Sequence, residues 1–177
     1  LNDPDGLGVV NLTADEVKAL GTDVNFYGFK KGHNGSIIVN VNMTDRTSVS
    51  LPDRALLFID GEKQDTNEVT EFSAGKIIWN FTNVSPGTTI TAKQMSGTII
   101  ALNATVKMVS NLNGTVIAEN TENTGETHRS DFTGIIKGDS TSFGVTKSFA
   151  EGSEWPDETS YKVTFTGDDL WLLTSAD

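Results

Sequence analysis

Cysteine is absent from the chain's 177 residues, which removes disulfides, thiolate metal sites, cysteine nucleophiles and thioester crosslinks. Packing, or some other covalent means, has to hold the molecule together. Histidine is almost as scarce. Only His33 and His128 occur, far apart and without a helix-spaced partner, so no zinc site is expected. No apolar run approaches the roughly 18 residues of a membrane-spanning helix. Basic residues are in deficit, thirteen against twenty-four acidic, and the resulting net charge of −11 repels nucleic acid phosphates and anionic lipid headgroups. Neither nucleic acid nor membrane insertion is therefore expected as a partner of this segment. There is no glycine-rich phosphate loop opening a helix and no Gly-x-Ser-x-Gly elbow. Acid pairs such as Asp168-Asp169, or those around Glu151 and Glu154, do not stand out among so many carboxylates as a glycosidase couple. Asn2-Asp3-Pro4-Asp5-Gly6 lacks the spaced ligands of a calcium loop and reads as a turn. These absences point away from an enzyme and from any cofactor.

Threonine, asparagine and glycine are plentiful while strong helix formers are few, which favours strands and turns. The length suffices for one domain, or one domain with an appendage. Within it a phrase recurs. Gly97-Thr98-Ile99-Ile100-Ala101 returns as Gly114-Thr115-Val116-Ile117-Ala118, with upstream versions at Gly35 to Val39 and Gly75 to Trp79 and a weaker one at Arg54 to Phe58. A period near twenty is the mark of a solenoid, one coil per repeat. Each copy is a short apolar run between turn residues, hence a strand, and stacked copies run parallel. Between them Ser48 to Leu51, Thr88 to Thr91 and Ala104 to Val109 alternate apolar and polar residues, as the other walls of a coil would.

Every copy carries two adjacent aliphatics, so its strand must be buried on both faces. The short segment Thr13 to Gly21 is the best helix, with a capping box of Thr13 and Glu16 and an apolar stripe of Val17 and Leu20. The expected cover for the outer side of the wall is this helix, aided by Phe26, Tyr27 and Phe29 or by the chain beyond residue 135. The fold expected is mainly β, a parallel β-solenoid (β-helix) of about five coils over residues 1–137 with one short helix alongside, followed by an antiparallel hairpin over 138–177.

The phrases Trp79-Asn80-Phe81, Gly97 to Ala104, Gly114 to Asn120, and Glu126, His128 and Phe132 resemble, in order, those of the choice-of-anchor A domain of Gram-positive surface proteins. Leu102 stands where that family has a proline. The glycine-rich repeats that usually open the domain are missing, which implies the latter part of a larger domain or a shortened relative. The same phrases are distantly similar to the ice-binding β-solenoid family. The tail, Ser142 to Phe149 and Tyr161 to Gly167, resembles the opening of a collagen-adhesin B-type repeat. In those modules a lysine at the position of Lys147 forms an isopeptide bond, but the partner asparagine is missing, since none follows Asn123.

These resemblances imply a non-enzymatic adhesin or structural module, extracellular and displayed on a Gram-positive cell wall through sequence outside this chain. Its partner would be a host or surface ligand, protein or glycan, with self-association through the C-terminal strands. Ice binding is the alternative reading, with Thr89, Thr91, Thr98, Thr105 and Thr115 as the candidate ligand or ice face. A carbohydrate-binding or carbohydrate-active domain is the third.

Overall fold

The computed structural model of the chain describes residues 6–63 and 75–136. Strands β1 (Leu7–Thr13), β3 (Ser36–Asn42), β7 (Ile77–Thr82), β9 (Met95–Met108), β10 (Leu112–Asn123) and β11 (Thr127–Arg129) lie side by side in that order, all parallel. Strands β8 (Thr88–Ala92), paired along the second half of β9, and β4 (Ser48–Ser50), paired with β8, extend the same sheet. β9 and β10 thus run through both walls, and the eight strands form one parallel sheet curled into a half-barrel. A smaller sheet holds β2 (Asp23–Phe29), β5 (Arg54–Ile59) and the short β6 (Glu62–Lys63). The chain visits the main wall, its second wall and the small sheet in turn: β1, α1 (Ala14–Ala19), β2, then β3, β4, β5.

Four of the five copies of the phrase occupy the main wall in register. Ile37 pairs with Ile77, Ile38 with Ile78, Ile99 with Val116 and Ile100 with Ile117. Between β7 and β9 the match slips by two residues, so that Trp79 rather than Ile77 faces Ile99. A slip of two keeps every side chain on its own face, because the strand period is two. The fifth copy, Arg54 to Phe58, belongs instead to the small sheet, beside β2. Similar words therefore do not mark membership of one wall, nor burial on both faces in every copy: Val116 is half-buried and Ile117 exposed, because β11 pairs only with Leu112 to Gly114 and leaves the rest of β10 without a strand beyond it among the described residues.

The inner face carries Val39, Val41, Ile77, Trp79, Phe81, Ile99 and Ala101, all buried in one core with Val49, Ile90 and Val106 of the second wall. Phe26 and Phe29 project into that core from the small sheet, and Phe26 meets the Trp79 ring edge-on at 6.0 Å. This corrects the expectation that they cover the wall's outer side. The helix too faces the core. Its capping box forms as read, with the Thr13 side chain accepting from the Glu16 amide and the Glu16 side chain accepting from the Thr13 amide. Ala14 and Val17 are buried in the core cluster, while Leu20 is exposed.

The outer side is crossed by a later segment, Ser130 to Ile135. The amides of Thr133 and Gly134 donate to the Gly75 carbonyl at 2.8 and 3.0 Å, and Ile135 donates to Asn34 at 2.9 Å. Ser36 Oγ donates to the Ile135 carbonyl and Lys76 Nζ to that of Thr133, at 2.9 and 3.1 Å. The segment that crosses is Ser130 to Ile135 and not the chain beyond residue 135 that was expected to cover this side. Ser36, Lys76, Ser96 and Asn113, successive rungs of one outward ladder, are all buried. Residues 138–177, with the expected hairpin and Lys147, lie outside the described residues.

Candidate functional site

Outward positions of the second wall alternate with the core residues Val49, Ile90 and Val106. They form two rows across the strands. One row reads Ser48, Thr89, Thr105, Asn120 and the other Ser50, Thr91, Lys107, Glu122. Parallel strands stack about 4.8 Å apart and outward residues recur about every 6.6 Å along each strand, so five hydroxyls make a small two-row lattice. It ends where Lys107 Nζ meets the Glu122 carboxylate at 2.9 Å.

At the other edge the helix borders a groove of about 380 Å³ lined by Asp15, Lys18, Arg46, Ser48, Ser50 and Thr91. The helix begins here because Thr13 caps it, and this places Asp15 in its first turn opposite Arg46. Arg46 Nε and Nη2 donate to the two Asp15 carboxylate oxygens at 3.1 and 2.6 Å. Those hydrogen bonds hold the Asp15 carboxyl below its usual range and raise the guanidinium above its own. The bidentate pair fixes one wall of the groove and balances its own charges, beside Lys18.

Of the five threonines read as a face, the structure brings Thr89, Thr91 and Thr105 together. Thr98 and Thr115 pair with each other on the outer side of the main wall, and Thr98 is buried there. The five do not share one surface. Ser48 and Ser50 complete the lattice; their alternation with Val49 marked a wall strand, but they were not among the expected ligand residues, although Ser48-Val49-Ser50 matches Thr89-Ile90-Thr91 position for position. His128 sits in β11 with Nε2 3.6 Å from the Glu126 carboxylate. Among the described residues no group of three or more His, Asp or Glu side chains could hold a metal ion.

A second feature was also missed. Val10-Asn11-Leu12, Val39-Asn40-Val41 and Trp79-Asn80-Phe81 align across β1, β3 and β7. Their amides form a ladder on the outer face: Asn80 Nδ2 donates to Asn40 Oδ1 and Asn40 Nδ2 to Asn11 Oδ1, each at 2.8 Å. The recurring apolar-Asn-apolar triplet was the available signal, and it marks β1 as part of the main wall.

No curated protein and no solved structure matches this chain. A family model does match, over residues 1–129. The chain belongs to the family described as "Putative Ice-binding-like adhesive domain".

Proposed function

We propose that this chain is a non-enzymatic adhesive module, a β-solenoid of about five coils exposed outside the cell, which grips its ligand with the outward face of β4, β8 and β9. Cell-wall anchoring through sequence outside the chain is part of the same reading. The observation that carries it is the hydroxyl lattice of Ser48, Ser50, Thr89, Thr91 and Thr105, flanked by the Asp15–Arg46 and Lys107–Glu122 pairs. Hydroxyls that donate and accept, set on a rigid sheet, give directional contacts to a polar surface with little ordering cost. The test is binding of the whole chain to immobilised extracellular proteins and glycans, repeated with Thr89→Arg/Thr105→Arg. The double substitution puts two bulky cations on outward positions, and expected binding falls about tenfold or more, as for removal of a central contact. Unchanged binding would move the contact surface elsewhere.

Ice binding is the second reading, supported by the neighbours Thr89 and Thr105 with Thr91 in the next row. An ice face needs a flat, regular, uncharged array. Here the second row passes into Lys107 and Glu122 after two hydroxyls. A freezing-hysteresis assay separates the readings. No hysteresis is expected, and hysteresis abolished by the same double substitution would put ice first.

A further inference from the structure

The small sheet presents a second surface, distinct from the hydroxyl lattice. Phe26 pairs with Leu57 but Phe29 with Ile59, so β2 holds one extra residue between its two core phenylalanines. Gly28, at φ 93°, takes up the irregularity. Such a bulge re-aims a side chain, and here it returns Phe29 to the core, while Tyr27, next to the inward Phe26, points outward by strand alternation and is 57% exposed. Its ring stacks on Phe58 with centroids 4.4 Å apart and planes at 29°. One ring face is thus braced from beneath, while the side chain as a whole stays open to solvent.

The same face carries planar polar groups. Asn25 is the outward residue before Tyr27 and is exposed, and Asp23 pairs with Arg54 through two hydrogen bonds of 2.8 and 2.7 Å. Beside Arg54 lies a hollow of about 320 Å³ lined by Thr22, Asp53, Lys93, Gln94 and Ser110 as well. Arg54 to Phe58 spans four residues of strand, about 13 Å. The charges along this track are matched: Asp23 with Arg54, Asp53 with Lys93, Asp60 with Lys30.

We infer that the outer face of the β2–β5 sheet binds a neutral oligosaccharide, with Tyr27 as the platform for one pyranose ring and Asn25, Arg54 and the hollow beyond it bonding the hydroxyls of the next units. A sugar presents an apolar face of C–H groups with a rim of hydroxyls, and its match is one open aromatic ring edged by planar donors and acceptors. A protein partner would instead need a cluster of apolar anchors, and Leu56, the aliphatic on this face, is buried. The Phe58 brace fixes the Tyr27 rotamer beforehand, which lowers the ordering cost of binding.

The test uses the whole chain on a printed array of neutral, sialylated and sulfated oligosaccharides, followed by calorimetric titration with the best neutral one. Neutral oligosaccharides are expected to be retained. Tyr27→Ala should weaken binding about tenfold, the scale of losing one aromatic contact, whereas Tyr27→Phe keeps the platform and should bind nearly as the parent does. Equal melting temperatures for the two variants exclude misfolding as the cause. Retention of acidic glycans alone, no retention, or full binding by Tyr27→Ala would overturn the inference. Thr89→Arg/Thr105→Arg should leave this sugar binding intact. If that variant abolishes it while Tyr27→Ala does not, the hydroxyl face is the glycan site, and the adhesive reading survives without this one.

Discussion

At Gly114 the main wall leaves no room for a side chain. A Cβ there would press on the carbonyl oxygen of Gly97 in the neighbouring strand, and one on Gly97 would come within 2.8 Å of the Ile77 carbonyl. Backbone, unlike a side-chain tip, cannot swing aside. Gly114→Ala is expected to destabilise by about 1–3 kcal/mol, as overpacking does. Gly87→Ala, at φ 81° with nothing within 4 Å, meets only the left-handed backbone penalty of about 1 kcal/mol. Urea unfolding of the two variants checks the order, and equal losses would mean that the strands spread easily at Gly114. A second residue-scale expectation concerns Glu16, whose carboxyl is lowered first by the Thr13 amide and then by the Thr13 hydroxyl. A carboxylate lowered in the folded state adds stability above its ordinary pKa and loses it as pH falls through its own lowered value. Glu16→Ala should therefore be less stable than the parent at pH 7, with the gap narrowing towards pH 3. A gap that stays constant with pH would show that the capping charge contributes nothing.

Within an element, the repeated aliphatic pair divides its labour. Ile99 is fully buried in the core, Ile100 on the opposite face is half-buried, and Ile117 beside it is 47% exposed. Ile99→Ala should cost about 2–5 kcal/mol, Ile100→Ala distinctly less, and Ile117→Ala close to nothing, measured by denaturant midpoint at constant slope. Equal costs for Ile99 and Ile100 would mean that the outer face is packed as tightly as the inner. The paired aliphatics made the main-wall strands legible, although β10 carries the pair with Ile117 left open, so the pair marks the strand and not its cover. Which strands share a wall was not legible, because Leu56 and Leu57 satisfy the same rule in the small sheet. Nor did composition reveal β1. As the edge strand it leaves Val9 and Val10 exposed and has no partner on its outer side among the described strands, so burial never demanded the full phrase. Of the candidate site, the alternation at Thr89 and Thr91 was readable. Its boundary was not, because the strands bearing Lys107 and Ser50 come together only through pairings distant in sequence.

For the molecule as a whole, the question is what closes the outer side of a wall that carries buried polar groups and buried isoleucines together. Ser36, Lys76, Ser96 and Asn113 lie beside Ile38, Ile78 and Thr98 on that side, all buried. Exposing them would wet the apolar members and free Ser36 and Lys76 from their present bonds. The segment Ser130 to Ile135 supplies acceptors for Ser36 and Lys76 and donors for the carbonyls of Asn34, Gly75 and Gly114. It reaches across strands distant in sequence, so it ties the last part of the wall to the first. The family match ends at residue 129, just before it, which separates two expectations. If the matched stretch is self-sufficient, a chain of residues 1–129 should melt with one of residues 1–140. If the strap closes the wall, the shorter chain loses eight hydrogen bonds across the sheet face, each worth about 1 kcal/mol net. We expect the second outcome: a melting temperature lower by about 10 °C or more for the shorter chain, with increased binding of a hydrophobic dye as Ile38 and Ile78 are uncovered. Coincident melting curves and unchanged dye binding would show that the wall closes without the strap, and that its buried ladder is satisfied from elsewhere.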